Sequence, residues 1–202
     1  KTGVAPLSGS AYVFRWDGSA WQEEQKLVAS DGESGDKFGI SVSVSGDVAV
    51  VGAYGDDDNG DFSGSAYMFR WNGSAWAEEQ KPRASDARGG AQFGVSVSVS
   101  GDVAVVGAQR DGDHGIETGS AYVFRWNGSS WEEEHKLFAS DGVAGEHFGV
   151  SVSVSSDVAV VGAWDDNDNG DYSGSAYVFR RNGSAWAQEQ KLLASDGAVN
   201  NF

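Results

Sequence analysis

The stretch Phe38–Ala53 reads FGISVSVSGDVAVVGA, and two later stretches repeat it almost letter for letter. They are Phe93–Ala108, FGVSVSVSGDVAVVGA, and Phe148–Ala163, FGVSVSVSSDVAVVGA. The phenylalanines that open the three stretches are 55 residues apart in both intervals. A long fixed period indicates one supersecondary unit copied several times, in which neighbouring copies bury each other's faces. Function is therefore expected in a feature that every copy repeats, or in the surface that the copies build together.

Each unit predicts four antiparallel strands and no helix. From Phe38, large and small residues alternate through SVSVS, with Phe38 and Val42 expected on one face, and a Gly-Asp turn leads into a second strand, Val48–Tyr54. After a polar loop, Ser65–Trp71 is the third strand and Trp76–Ala84 is the fourth. The Asn-Gly pair between the last two strands favours a type I′ hairpin.

Such a sheet cannot bury two faces alone, so bulky Val and Phe faces should stack on the Ser, Gly and Ala faces of the next copy. The predicted fold is all-β, a β-propeller-type array of four-stranded antiparallel blades, and a linear stack of sheets is the other arrangement consistent with the pattern. A ring generally needs about four to eight blades, so either the natural chain is longer or several chains complete the structure. We expect one domain over 1–202 with about three and a half blades, namely a half blade at 8–37 and blades at 38–92, 93–147 and 148–202.

Composition excludes several classes of function. The chain carries 30 acidic and 14 basic side chains, a formal charge of −16, which argues against nucleic acid as a partner because phosphate binding needs a basic surface. The absence of cysteine rules out disulfides, thiolate zinc sites and cysteine nucleophiles. No stretch is long and apolar enough to predict membrane insertion.

Acidic loops follow the second strand of every unit: GDDDNGD from Gly55, RDGDHGIE from Arg110 and DDNDNGD from Asp165. Oxygen ligands at alternate positions before a glycine bend suit Ca²⁺, which takes six to eight hard oxygens. The same runs also form good turns on a solvated edge, which is the alternative interpretation. The candidate ligands are Asp56, Asp58 and Asp61 in the first copy, Asp111, Asp113 and Glu117 in the second, and Asp166, Asp168 and Asp171 in the third.

A second group of acidic residues is expected at the same end of the blades. In a four-stranded meander, the loop after the second strand and the loop that joins one unit to the next lie at the same end. A cation shared between the two loops would relieve their repulsion. The joining loops carry Asp31, Asp86, Asp141 and Asp196, with Asp36 and Glu146 further along.

Two further features lie at the hairpins between the third and fourth strands. Asn72, Asn127 and Asn182 begin Asn-Gly-Ser sequons, which predict glycans if the source has a eukaryotic secretory pathway and are otherwise turn formers. Tryptophans flank the hairpins, as at Trp71 and Trp76, and cross-strand packing explains them more simply than stacking on sugar rings.

The repeated FG and VVGA motifs, followed by a Gly-rich acidic loop, resemble the FG-GAP repeat of integrin α-subunit propellers. The resemblance covers nearly the whole chain and implies a β-propeller outside the cell that serves adhesion or ligand recognition, often with Ca²⁺. This chain departs from the motif in having Tyr54, Gln109 and Trp164 where the final proline is expected. Integrin-type calcium loops fall between FG and GAP, where this chain has only short turns, so that family's metal ligands do not carry over.

Catalysis is not predicted, because His114, His135 and His147 occupy unrelated repeat positions and no single copy diverges into a reaction centre. The expected function is that of an extracellular or cell-surface, non-enzymatic scaffold for adhesion or surface structure, stabilised by Ca²⁺. Its expected partners are an extracellular protein or glycan ligand, with self-assembly or further repeats completing a ring or fibre. The alternatives are a carbohydrate-binding lectin-type propeller and a structural subunit of an extracellular fibre.

Overall fold

The computed structural model describes residues 7–197, which form an all-β array of antiparallel sheets. One sheet has two strands and three sheets have four, and each four-stranded sheet is an up-and-down meander in chain order. This confirms the expected array of propeller-type blades, which is open within the described residues. The last expected blade, 148–202, extends past the end of that range.

The strands are β1 (Ala11–Trp16) and β2 (Trp21–Leu27) in the half blade; β3 (Ser41–Ser45), β4 (Val48–Ala53), β5 (Ser65–Trp71) and β6 (Trp76–Gln80) in blade 1; β7 (Phe93–Ser100), β8 (Val103–Ala108), β9 (Ser120–Trp126) and β10 (Trp131–Leu137) in blade 2; and β11 (Ser151–Ser155), β12 (Val158–Ala163), β13 (Ser175–Asn182) and β14 (Ala185–Leu192) in blade 3.

The first strand begins later than the alternation predicts. In blade 1 the FG pair forms a turn, in which Ile40 N donates to Lys37 O at 3.1 Å and Gly39 has φ +93°. Phe38 is buried, whereas Val42 is 61% exposed because the two-stranded half blade has no first strand to cover it. The two side chains nevertheless lie on one face of the sheet, as expected, because their counterparts in blade 2, Phe93 and Val97, are buried in the same core cluster.

Two other local predictions also need correction. β6 ends at Gln80 rather than Ala84, since Pro82 has no backbone N–H for the ladder. The hairpin at Asn72 is a four-residue loop, in which Asn72 N donates to Ala75 O at 3.0 Å. Gly73 has a positive φ and Asn72 does not, so this is not the type I′ turn that the Asn-Gly pair predicted.

The hydrophobic core lies between the blades. The second strand of each complete blade is apolar on both sides. In β8, alternate valines therefore point into different joints: Val106 packs toward blade 1 and Val105 toward blade 3. A phenylalanine from each FG turn makes edge-on contacts with two rings of the same blade, as Phe93 does with Tyr122 and Phe124 at centroid distances of 5.4 and 6.0 Å. The stack of blades therefore shares its core between neighbours, as the repeat period predicted.

Serine hydroxyls connect the first strands of successive blades. Ser43 Oγ accepts a hydrogen bond from Val99 N at 3.0 Å, and Ser41 Oγ donates to Gly94 O at 2.8 Å. The next joint repeats both bonds, through Ser98 and Ser96, at 3.0 and 2.8 Å. The small, polar faces of these strands thus allow close approach and fix the register between blades.

Candidate functional site

A cluster of one lysine, one tyrosine and three aspartates lies at one end of each blade joint. In blade 1, Tyr67 lies on β5 and Lys81 follows β6. Asp56 and Asp58 come from the loop after β4, and Asp31 comes from the loop that joins the half blade to blade 1. The two acidic loops therefore meet at one end of the blades, as the meander argument predicted. We call this group the lysine–carboxylate cluster.

The lysine of the cluster contacts all three carboxylates. Lys81 Nζ lies 2.8 Å from Asp31 Oδ2, 2.6 Å from Asp56 Oδ2 and 2.8 Å from Asp58 Oδ2. It also lies 5.1 Å from the centroid of the Tyr67 ring. The Tyr67 hydroxyl is 2.9 Å from Asp31 Oδ1 and 3.1 Å from Asp56 Oδ2. Asp56 and Lys81 are largely buried, with side-chain exposures of 5% and 11%, so their charges depend on each other for compensation.

The other two blades repeat this geometry. In blade 3, Lys191 Nζ lies 3.0 Å from Asp141 Oδ2, 2.6 Å from Asp166 Oδ2 and 2.6 Å from Asp168 Oδ2, and Tyr177 contacts the first two carboxylates. The cluster of blade 2 consists of Lys136, Tyr122, Asp86, Asp111 and Asp113, and Arg88 adds a second cation against Asp111 and Asp113.

The cluster shifts the pKa values of its members in the direction that keeps the charges in place. Burial opposes the charge of Lys81, but its hydrogen bonds to the three aspartates outweigh burial and raise the pKa of the ammonium. Burial likewise opposes the charge of Asp31, yet hydrogen bonds from Lys81 and Tyr67 lower the pKa of its carboxyl. Burial and the charge of Asp56 raise the pKa of Tyr67, so its hydroxyl stays protonated and can donate.

The nine predicted metal ligands separate into two groups. Six of them are the loop aspartates of the three clusters, and the third candidate of each loop lies apart from its cluster. Asp61 and Asp171 are exposed. Glu117 lies near Arg110, with 3.7 Å between Arg110 Nε and Glu117 Oε1, and near His147, with 3.5 Å between His147 Nε2 and Glu117 Oε2.

The donor chemistry of the cluster suits a hard cation, but the ammonium occupies its centre. The carboxylate oxygens of Asp86, Asp111 and Asp113 lie within 4.8 Å of one another. Ca²⁺ binds oxygens at about 2.3–2.6 Å, and Lys136 Nζ is already 2.6 Å from Asp111 Oδ2. Ca²⁺ at these loops therefore stays a prediction, and binding through these oxygens requires the lysine to leave.

The lysine of each cluster lies outside the acidic loops, but the sequence contains a signal for it. Lys26, Lys81, Lys136 and Lys191 recur at the 55-residue period, as closely as the acidic residues do. A basic residue that recurs in step with acidic loops can supply the cation that those loops need. Lys26 lies at the same position of the half blade, where its Nζ is 5.6 Å from the Tyr12 ring centroid.

The tryptophans at the hairpins pack across strands and between blades. Trp71 and Trp76 have ring centroids 5.9 Å apart, and Trp76 is 5% exposed. Gln25 of the half blade makes two hydrogen bonds of 2.7 Å with the backbone N and O of Trp76, and Gln80 does the same for Trp131 at 2.8 and 2.7 Å. The cross-strand interpretation is thus confirmed for these residues.

The three sequons lie where a glycan could be attached. Asn72, Asn127 and Asn182 are exposed at equivalent hairpins. The Oδ1 atom of Asn72 accepts hydrogen bonds from Ser74 N and Ala75 N, both at 3.0 Å. Asp17 Oδ1 makes the same two contacts in the half blade, at 2.8 and 2.9 Å. The turn therefore needs the side-chain oxygen, and glycosylation stays a prediction.

Comparison with known proteins agrees with this architecture. The geometry defines a class of protein, an array of four-stranded blades with a repeated joint. The family model described as FG-GAP repeat matches residues 21–69, 76–124 and 131–179, which is more than half of the chain. The chain belongs to the FG-GAP repeat family. Each match begins at a fourth strand and ends in the third strand of the next blade, so the family repeat spans two sheets.

A solved structure shows a similar fold. The crystal structure of Sqt1 from Saccharomyces cerevisiae aligns with a TM-score of 0.51 and 14% sequence identity. The alignment covers 80% of this chain and 38% of that one, so this chain spans well under half of that structure. At this identity the likeness concerns the fold alone. A search of curated proteins found no match.

Proposed function

We propose that the chain is an extracellular, non-enzymatic repeat scaffold that serves adhesion or surface structure. The observation that carries this proposal is the recurrence of one joint in every complete blade, with the lysine–carboxylate cluster at Lys81, Lys136 and Lys191. A reaction centre normally occurs once in a domain, on a copy that has diverged from the others. A contact repeated at every joint instead suits a chain whose task is to hold a surface in a fixed shape.

The extracellular setting is supported by three features together. The FG-GAP family resemblance implies it, the sequons at Asn72, Asn127 and Asn182 are all exposed, and the net charge of −16 keeps the surface away from anionic membranes and nucleic acid. No helix in residues 7–197 has the length and apolar character needed to cross a bilayer. The expected partner is an extracellular protein or glycan that binds the repeated surface.

An adhesion assay tests the role directly. Beads coated with the chain are expected to attach to wells coated with extracellular matrix proteins more strongly than albumin-coated beads do. Attachment no greater than that of the albumin beads would remove the adhesion role. It would leave a purely structural role, which sedimentation would support by detecting long assemblies.

We also propose that Ca²⁺ competes with the lysines for the clustered carboxylates. A matched pair of chains tests this, the wild type and a variant with Lys81, Lys136 and Lys191 all changed to Met. Millimolar Ca²⁺ should raise the melting temperature of the variant more than that of the wild type, because metal bound only by the folded state adds stability, about 2.7 kcal/mol at a hundredfold excess over the dissociation constant. If each chain had the same melting temperature in Ca²⁺ as in EDTA, Ca²⁺ binding would be refuted and the aspartates would serve only as ion-pair partners of the lysines.

A lectin function is the second candidate, favoured by one exposed aromatic pair. Trp16 and Trp21 of the half blade are 51% and 67% exposed, with ring centroids 5.8 Å apart, whereas Trp76, Trp131 and Trp186 of the complete blades are buried. A glycan array should show binding that the double change of Trp16 and Trp21 to Ala removes. An array without bound glycans would leave the scaffold function.

A further inference from the structure

A groove of about 790 Å³ runs beside the half blade. One wall is the edge of β1, which pairs with β2 on one side and has no neighbouring strand on the other among the described residues. The equivalent strands β5, β9 and β13 each pair on both sides. The other wall is the face of blade 1 that includes Val42 and Val44 of β3.

The wall formed by blade 1 is apolar and uncovered. Val42 is 61% exposed and Val44 is 64% exposed, whereas their counterparts in blade 2, Val97 and Val99, are 8% and 6% exposed. The counterparts are buried because the first strand of the preceding blade packs on them. The half blade supplies no such strand for Val42 and Val44.

The groove also presents polar atoms in a fixed pattern, which the complete joints identify. In the joint between blades 1 and 2, Ser41 Oγ donates to Gly94 O, Ser43 Oγ accepts from Val99 N at 3.0 Å and Ser45 Oγ accepts from Gly101 N at 3.1 Å. The joint between blades 2 and 3 repeats all three bonds. A strand placed in the groove would therefore need hydroxyl groups at three alternate positions. In the groove, the atoms equivalent to Gly94 O, Val99 N and Gly101 N are Gly39 O, Val44 N and Gly46 N, which would bond to these hydroxyls.

A strand that paired with the edge of β1 would have to meet two requirements, which the complete blades show. In the complete blades the counterpart of Trp16 donates its backbone N–H to the turn after the first strand, as Trp71 N does to Asp47 O at 2.8 Å. A Cβ on Gly107, in β8, would lie 1.9 Å from Gly149 O of the next blade. The occupant therefore needs a glycine where its second strand passes Gly39 O.

We propose that this groove is a strand-addition site that takes the hairpin formed by the first two strands of another FG-GAP repeat. The occupant has the pattern SxSxS, a two-residue turn and VAVVGA. It would pair its second strand with β1, lay its serines against β3 and continue the joint that already links blades 1, 2 and 3. The proposal needs neither an extracellular location nor an adhesive role, so it stands or falls separately from them.

A synthetic peptide tests the proposal on the intact chain. The peptide carries residues 93–108, flanked by lysines for solubility, and is titrated into the protein by calorimetry. We expect saturable one-to-one binding, together with slowed amide exchange at Tyr12, Phe14 and Trp16 of β1 and at Val44 and Gly46. Protection confined to blade 3 would overturn the proposal.

Matched peptides and variants separate the specific site from general adhesion to an apolar surface. The peptide with Gly107→Ala should lose binding, while Gly101→Ser should keep it, because Ser156 occupies that turn position in blade 3. Changing Ser96, Ser98 and Ser100 to Ala should weaken binding at least about tenfold, since three hydrogen bonds are lost. In the protein, the double change of Val42 and Val44 to Asp should abolish binding, and Tyr172→Asp, at another exposed apolar side chain, should leave it unchanged.

Two further outcomes would also overturn the proposal. One is equal binding of the wild-type and Gly107→Ala peptides, since a site without register is not strand addition. The other is a stable dimer of the unliganded chain that excess peptide does not dissociate, which would make a second copy the occupant.

Discussion

The lysine of the last cluster is the most informative residue to remove. Changing Lys191 to Met keeps an unbranched side chain of similar length but leaves Asp141, Asp166 and Asp168 without the ammonium that contacts all three. Removing one partner of a buried ion pair costs about 3–5 kcal/mol. Because Asp168 is 55% exposed and remains partly solvated, we expect the lower end, about 3 kcal/mol.

The other copies of the cluster turn this prediction into an ordered series. Lys136→Met should cost about half as much, because Arg88 Nη1 lies 2.7 Å from Asp113 Oδ1 and Arg88 also contacts Asp111. Lys26→Met is the matched control, since this lysine has the same repeat position and is exposed in the half blade. It should change stability by no more than about 0.5 kcal/mol.

Urea unfolding followed by tryptophan fluorescence at pH 7 measures the series, and repeating it near pH 3 tests the cause. The difference between wild type and Lys191→Met should shrink in acid, because protonated carboxylates no longer need the ammonium. The cluster would be irrelevant to stability if Lys191→Met and Lys26→Met unfolded at the same urea concentration.

Four further predictions follow from other features. Wild-type stability should fall as pH drops below about 4. Hydrogen bonds from lysine and tyrosine lower the pKa values of Asp31 and Asp141 in the folded state. The stability that these two carboxylates add is therefore present above their unfolded pKa of about 3.9 and is lost as pH falls through the folded pKa. Burial raises the pKa values of Asp36 and Glu146, so these two carboxyl groups oppose the trend. Urea unfolding should still show that the free energy of unfolding rises from pH 2 to 7, and no rise would mean that the clusters are unimportant. Gly107→Ala should lower the free energy of unfolding by more than about 2 kcal/mol, because its Cβ would meet Gly149 O. Gly162→Ala should lower it less, because the nearest atom is the mobile Ser151 Oγ at 2.4 Å. Equal melting temperatures of the two variants would contradict this. His135→Gln should stabilise the joint of blades 2 and 3 by about 1 kcal/mol by giving Trp186 the amide pair that Gln80 gives Trp131, and an unchanged urea midpoint would count against it. Secreted from a eukaryotic cell, the chain should lose one step of gel mobility shift for each of Asn72→Asp, Asn127→Asp and Asn182→Asp, with the turn kept as at Asp17; a single band unaffected by any of the three would show that the sequons are turns only.

Much of the fold could be predicted from the sequence because the repeat supplies the same information three times. The period fixed the number of sheets, and the apolar character of VAVVGA on both sides indicated a strand packed between two neighbours. The bend at Phe38-Gly39 was missed, because alternation of large and small residues continues through the FG pair although the backbone turns there. Position in the array also matters: Val42 and Val97 have equivalent places in the sequence and opposite exposure.

The candidate site could be predicted in part. The meander placed Asp31 near Asp56, because loop order alone decides which loops share an end. The partner of these carboxylates was missed because Lys81 follows β6, 50 residues from Asp31, and local spacing does not report contacts across a joint. The same distance hides the amide pair between Gln25 and Trp76, which are 51 residues apart.

The self-similar joint has a consequence for how the gene can change. Since the serines of one first strand fit the backbone of the next copy in both joints between complete blades, one unit can follow another without new complementary residues. Unequal crossing-over that duplicates or deletes 55 codons in frame would therefore yield a chain whose blades still meet properly. Populations carrying this gene should differ in repeat number far more often than in the residues of the joint.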